Sequence, residues 1–261
     1  IQGNIYSAAY LGDVVELRKN IKALMDAKSQ SGISFSQVDA VLDEADLSGM
    51  TALHWASFRG NEVCVRLLLD KGAEVDVLQK GMNSPLLLAA TGGHETVARL
   101  LLERGADISL RNVKGQDSVF MAVIYGHASK GLPWLLQLLT HRGVDLNQVD
   151  SCGATPLHLC AEKNLARPVR MLVDAGADVN AKYGQYQWSP LQLACKHRTP
   201  DVETIRSFLD KGAYPNWRDL NGKTAFDIAL SMQPSASVAN GSSVSVGSLG
   251  RSASERKLLT E

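Results

Sequence analysis

The sequence predicts an all-α solenoid, a chain of short helices taken two at a time with hairpin-forming turns between the pairs. Two columns of residues repeating in fixed phase predict it. The first is Thr51-Ala-Leu-His54, which returns as Ser84-Pro-Leu-Leu87, Asp117-Ser-Val-Phe120, Thr155-Pro-Leu-His158, Ser189-Pro-Leu-Gln192 and Thr224-Ala-Phe-Asp227. The second follows each of the first five: Gly72-Ala73, Gly105-Ala106, Gly143-Val144, Gly176-Ala177 and Gly212-Ala213. The spacing stays near about 33 residues, a period at which each unit is too small to bury its own apolar face and must stack on its neighbours.

Each part of the period has a physical reason. Thr155 and Ser84 offer a hydroxyl to the unpaired amides of a first helical turn, so they read as N-caps. Pro85, Pro156 and Pro190 follow at the first helical position, where a missing N–H costs nothing and the fixed φ helps. The first helix then ends near Gly60, Gly93 and Gly126, with Asn164 at the matching place because Asn tolerates the left-handed region. A second helix carries Val65-Arg-Leu-Leu-Leu69, Ala98-Arg-Leu-Leu-Leu102, Leu136-Gln-Leu-Leu-Thr140, Val169-Arg-Met-Leu-Val173 and Ile205-Arg-Ser-Phe-Leu209. Leu68, Leu101, Leu139, Leu172 and Phe208 share one column of its apolar stripe and are the predicted core. Polar stretches such as Ala177-Asp-Val-Asn-Ala181 lead out into the hairpins.

With Thr155-Pro-Leu-His158 and Gly176-Ala-Asp-Val-Asn180 on the page, the sequence resembles the ankyrin-repeat family over nearly all of Ile5 to Leu230. The resemblance implies antiparallel helix pairs stacked into a curved ankyrin-repeat solenoid, with β-hairpin loops projecting as fingers. The repeats read Asp46–Leu78, Gln79–Arg111, Asn112–Val149, Asp150–Tyr183 and Gly184–Arg218, and Asp219 opens an incomplete last one. Asn112–Val149 lacks the Thr-Pro-Leu-His signature and carries extra residues around Ala128-Ser-Lys-Gly-Leu132, which makes it the expected irregularity. The expected organisation is an N-terminal capping repeat with an insertion over 1–45, five full repeats and the start of a final one over 46–230, a disordered Ser/Gly-rich loop over 231–251 and a capping helix over 252–261. Within the insertion, Ser36-Gln-Val-Asp39 reads as a cap for a short helix through Leu42.

Composition narrows the function. Lys+Arg 27 balances Asp+Glu 27, so no basic field collects nucleic acid or an acidic membrane surface. No apolar stretch approaches the ~20 residues of a membrane span, and Ile1-Gln-Gly-Asn-Ile-Tyr6 has no signal-peptide core. Without an initiator Met the chain reads as a piece of something longer. Cys64, Cys152, Cys160 and Cys195 are too scattered for a metal clip and too few to staple the chain, which fits an intracellular, cytoplasmic location; Cys152 alone is expected in an exposed turn.

No catalytic, cofactor or metal site is expected. Side chains at one phase of a solenoid lie about 10 Å apart, too far to share an ion at about 2 Å. The family resemblance implies that His54, His158, His94 and His127 hydrogen-bond turns and neighbouring repeats, and the Asp series from Asp46 to Asp219 reads as turn and cap residues. Asn180 resembles the hairpin asparagine modified by an oxygen-dependent asparaginyl hydroxylase in some family members, and Arg251-Ser-Ala-Ser254 resembles a basophilic-kinase site.

The expected function is a protein-interaction scaffold, or alternatively the regulatory arm of a larger enzyme, channel or lipid-trafficking protein. In the family the exposed sides of the first helices and the hairpins line a concave partner-binding face. Here those positions hold Met50, Trp55, Phe58 and Arg59, then Ile124 and Tyr125, then Tyr186 and Trp188. Such residues are enriched at interface centres. Trp55 and Tyr125 have a second reading as packing between neighbouring first helices. Lys163 and Lys196 add positive charge, so a monomeric chain gripping an acidic or amphipathic partner protein or peptide is expected.

Overall fold

The computed structural model describes residues 4–30, 42–125 and 132–232. It divides into two compact units, Ile1–Asp145 and Leu146–Glu261. Unit 1 holds α1 (Ile5–Leu11), α2 (Val14–Gln30), α3 (Ala52–Arg59), α4 (Glu62–Asp70), α5 (Pro85–Gly92), α6 (Glu95–Glu103), α7 (Ser118–Ile124) and α8 (Leu132–His141). Unit 2 holds α9 (Pro156–Glu162), α10 (Ala166–Asp174), α11 (Pro190–Cys195), α12 (Val202–Asp210) and α13 (Ala225–Ser231). In unit 1 the first helices α1, α3, α5 and α7 pack side by side as one row, and α2, α4, α6 and α8 form the second. Unit 2 repeats the arrangement with α9, α11 and α13 against α10 and α12.

The helix ends follow the chemistry of their residues. Ser84 Oγ accepts from Leu87 N–H at 3.3 Å ahead of Pro85, and the Ser189 hydroxyl does the same for Gln192 N–H. Gly60 and Gly93 close α3 and α5 in the left-handed region, and Asn164 follows the end of α9 at φ 54°. Phe208, Leu68, Leu101, Leu139 and Leu172 are all buried, so the apolar column of the second helices is the core between the two rows.

The hairpins are drawn by backbone bonds rather than by strands among the described residues. Asp46 N–H donates to Met50 C=O at 2.9 Å, and the pattern returns as Gln79–Asn83, Asn112–Gln116, Asp150–Ala154 and Asp219–Lys223; Tyr183 and Trp188 form a reciprocal antiparallel bridge at 2.9 Å. The fifth hairpin therefore opens on Tyr183, one residue before the boundary read from sequence. Its loop is one residue longer. Gly49, Gly115, Gly153 and Gly222 take the left-handed position of their hairpins, but in the second hairpin that place is Met82, at φ 56°.

A further column joins successive hairpins. Side chains of Asp43 and Asp76 accept the amides of Glu74 and Asp107 in unit 1, while Asn147 and Asn180 accept those of Asp178 and Tyr214 in unit 2, at 2.7–3.1 Å. Asn180 also donates from Nδ2 to Gly212 C=O at 3.2 Å. The Asp series thus includes residues that stitch repeats together as well as residues that turn them.

Several expectations fall on residues outside those described. These are the extra segment after Tyr125 with Gly126 and His127, most of the 28–45 insertion, and the chain beyond Met232 with its proposed capping helix at 252–261. Leu42, where the short helix was expected to end, is buried. Of the 231–251 segment only its first two residues are described: Ser231 ends α13 and Met232 caps it.

Candidate functional site

The residues singled out from sequence divide into two clusters, one in each unit. In unit 1 the centre is α3. Trp55 is half-buried, meets Tyr10 of α1 edge-on with ring centroids 5.5 Å apart, and donates from Nε1 to Asp46 Oδ2 at 2.8 Å. That bond and three further ones, from Ser48 and Met50, fix Asp46. Burial works against the Asp46 carboxylate, yet these donors hold it below the usual carboxylate range. Trp55 therefore follows its second reading in part, as a scaffold residue locked to the hairpin base. Met50 is half-buried in the same turn.

Phe58 and Arg59 remain exposed at the end of α3, with Phe58 at 36%. Phe58 lies 6.5 Å from Trp55, ring to ring, and the Arg59 guanidinium sits 4.7 Å over the Tyr10 ring. Tyr125, which caps α7, is 51% exposed. Its predecessor Ile124 is not a surface anchor. At 9% exposure it is buried, because the last turn of α7 points it into the core with Phe120 and Val123. On α5, between these helices, the positions matching Phe58 and Arg59 are Thr91 and Gly92. A Cβ on Gly92 would stand 2.2 Å from His94 Nε2, whose imidazole bonds Phe58 C=O at 3.0 Å. Small residues thus separate two exposed aromatics on one row of helices.

In unit 2, Tyr186 stacks on Trp188 with centroids 5.1 Å apart and planes 27° apart. Trp188 donates from Nε1 to Asp219 Oδ2 at 2.8 Å, as Trp55 does to Asp46. The Lys196 ammonium lies 4.4 Å over the Trp188 ring. Lys196 also lines a cleft of about 250 Å³ with Glu162, Leu193 and His197. Lys163 caps α9 and is exposed. A second cation, Lys182, stands 4.2 Å over Trp217.

The clusters also contain Tyr10, Lys182 and Trp217, which the sequence did not single out, and the two indole-holding aspartates, Asp46 and Asp219, which it marked only as turn and cap residues. Tyr10 carried a signal. It stands two residues before Gly12, as Phe58 stands two before Gly60, and both glycines are left-handed helix caps.

The repeat histidines among the described residues hydrogen-bond the backbone. His54 Nδ1 accepts Thr51 N–H at 3.1 Å and Nε2 bonds Asn83 C=O at 3.1 Å. His158 repeats this with Thr155 N–H and Trp188 C=O, both at 3.2 Å. Accepting at Nδ1 and donating at Nε2 requires the neutral ring, and burial depresses both side chains to about 4. His94 bonds Phe58 C=O and His197 bonds Ala161 C=O, so each ties one first helix to the next. Cys64, Cys160 and Cys195 are buried free thiols; burial raises Cys64 and Cys160, and only Cys152 is exposed. Among the described residues no group of His, Cys, Asp or Glu is arranged to hold a metal ion, and no helix is long and apolar enough to cross a membrane.

The comparisons with known proteins agree with this geometry. The family profile for ankyrin repeats, in three copies, matches residues 8–112 and 119–219. The chain belongs to the ankyrin-repeat family. Two curated relatives match this ankyrin array over 188 residues. The putative palmitoyltransferase ZDHHC13 of Danio rerio is 29% identical there, over 71% of this chain and 28% of its own length. SH3 and multiple ankyrin repeat domains protein 2 of Homo sapiens is 32% identical, over 72% of this chain and 9% of its own. The chain thus spans less than a third of either relative. Among solved structures, the ankyrin repeat domain of Bcl-3 superposes with a TM-score of 0.69 at 25% identity, covering 87% of this chain and 93% of that one. The human ASB11 ankyrin repeat domain shares the fold with the same TM-score at 24% identity, covering 87% and 91%. An ankyrin array is a protein-interaction module.

Proposed function

We propose that this ankyrin array is a non-catalytic scaffold that binds a partner protein or peptide along its first-helix row and hairpins. The observation that carries the reading is the pair of exposed aromatics Phe58 and Tyr125, set on α3 and α7 with only Thr91 and Gly92 at the matching places on α5. The scaffold gives neither ring a folding reason to face water, whereas aromatic and Arg side chains dominate interface energetics. Arg59, Lys163 and Lys196 favour an acidic or amphipathic partner through steering charge. A monomeric chain in an intracellular, cytoplasmic setting belongs to the same reading, supported by its four free thiols.

Capture from a cell lysate by the wild-type chain and by a Phe58→Ala/Tyr125→Ala variant, quantified by mass spectrometry, tests it. Loss of one interface hot spot costs about 2 kcal/mol, roughly thirtyfold in affinity, so captured proteins should fall away while the melting temperature holds. Undiminished capture by the folded variant would move the site off this row.

A second reading is supported by the relatives. Each carries its matching segment within a much longer chain, 28% and 9% of its length. On that reading the array is the regulatory or recruiting arm of a larger protein, of the kind the palmitoyltransferase relative exemplifies, and the same surface would hold that protein's substrate or regulator.

A further inference from the structure

We infer that the Lys196–Trp188–Tyr186 stack in unit 2 is a carboxylate-reading site, which pins an Asp or Glu side chain of an extended acidic segment in the partner protein. The inference rests on the scaffold reading above and names the chemistry that would recognise one part of the partner.

Three observations carry it. First, the indole is fixed from behind: Trp188 Nε1–H is spent on Asp219 Oδ2, whose other oxygen accepts the amides of Asn221 and Lys223 at 2.9 and 2.8 Å. The Tyr186 ring stacks on this fixed indole, and Leu220 N–H bonds the Tyr186 backbone C=O at 3.0 Å, so the indole and the Tyr186 backbone are both tied to the next hairpin. Second, the Lys196 ammonium rests over the indole, a contact that restricts a side chain otherwise rich in rotamers while leaving its outer side to solvent. Third, among the described residues no carboxylate lies within ion-pairing distance of that cation. Glu162 lines the same cleft without reaching it, although other basic side chains of the unit are paired, Lys211 with Asp174 and Arg170 with Glu203.

A cation held in place, unpaired and bordered by apolar surface loses little freedom when an anion arrives, which is the condition under which a single charge pair contributes to affinity. The outer face of Tyr186, which is exposed, would take an apolar side chain flanking the carboxylate. Alternation along an extended chain places residues i and i+2 on one face, so acidic and apolar residues in alternation suit the site. Lys182 provides a control within the same unit, since it too sits over an indole but lies outside the cleft.

The probes are a short capped peptide alternating Asp with Leu and Tyr, and the same peptide with Asn at every Asp. Titration is followed by the ¹⁵N indole resonance of Trp188 in the whole chain. The acidic peptide should shift that resonance, and Lys196→Met should weaken binding about tenfold, near 1.4 kcal/mol. Lys182→Met, which removes the same charge elsewhere, should change it less than about twofold, and Lys196→Arg should retain most of it. Equal binding of the Asn peptide, equal losses in the two Met variants, or no shift with either peptide would each overturn the assignment. Loss of lysate capture on Phe58→Ala/Tyr125→Ala would leave the broader scaffold reading standing in that event, because those residues belong to unit 1.

Discussion

Replacing His158 by Gln is expected to leave stability near pH 7 within about 1 kcal/mol of wild type and to make the chain about 3 kcal/mol more resistant to unfolding at pH 4. His158 is buried, accepts Thr155 N–H and donates to Trp188 C=O, and titrates at about 4 because burial disfavours the imidazolium. The unfolded ring titrates near 6.5. Between those values the unfolded chain binds the proton and the folded chain does not, so folding stability falls as pH falls through that window. Each pH unit is worth about 1.4 kcal/mol per group. His54, with the same geometry and the same depression to about 4, contributes a second equal loss. The aspartates Asp46 and Asp219 are depressed despite their burial, so their stabilisation is present above the usual carboxylate range and is lost as pH falls from that range through their lower folded values. Burial raises Asp117, which takes its proton more readily folded than unfolded and opposes the histidines weakly. The protein already contains the proposed replacement. Gln192 stands at the matching place of the next repeat, accepts Ser189 N–H at 2.9 Å and donates to Trp217 and Lys223 carbonyls at 3.2 and 2.9 Å. Urea unfolding at pH 7 and pH 4 reads the effect, and an unchanged acid sensitivity in the Gln variant would show that His158 is not its source.

Truncating Phe208 to Ala should cost about 3–5 kcal/mol, since its ring is fully buried on α12 where that helix packs against α10 and α11, and the array cannot collapse into the space. Leu220→Ala, at an exposed hairpin tip of the same unit, should stay within about 0.5 kcal/mol. Chemical denaturation of the two variants compares them directly. A small cost at Phe208 would mean that the second-helix column is not the core of unit 2.

The periodic parts of this fold were legible because each residue type there has one physical job. Ser84 and Ser189 cap, Pro85 and Pro190 open helices, Gly60 turns left-handed, and Leu101 fills the core. Position 82 was not legible, since no pattern announces a methionine where other hairpins place glycine. The site was harder for a related reason. Exposure depends on where the last helical turn ends, so Ile124 and Tyr125, adjacent in sequence, fall on opposite sides of the surface. Trp55 and Trp188 looked free because their partners, Asp46 and Asp219, lie nine and thirty-one residues away and also read as turn residues. A side chain that serves a turn with one oxygen and an indole with the other leaves only the first trace in a sequence.

The central claim is that partners lie on the first-helix row. A photo-crosslinking residue placed at position 58 or 125 and, separately, at position 66 or 99 tests it most directly, since Arg66 and Arg99 are exposed on the second helices α4 and α6. The account predicts covalent adducts to a captured protein from 58 and 125 and none from 66 or 99. Adducts confined to 66 and 99 would contradict it.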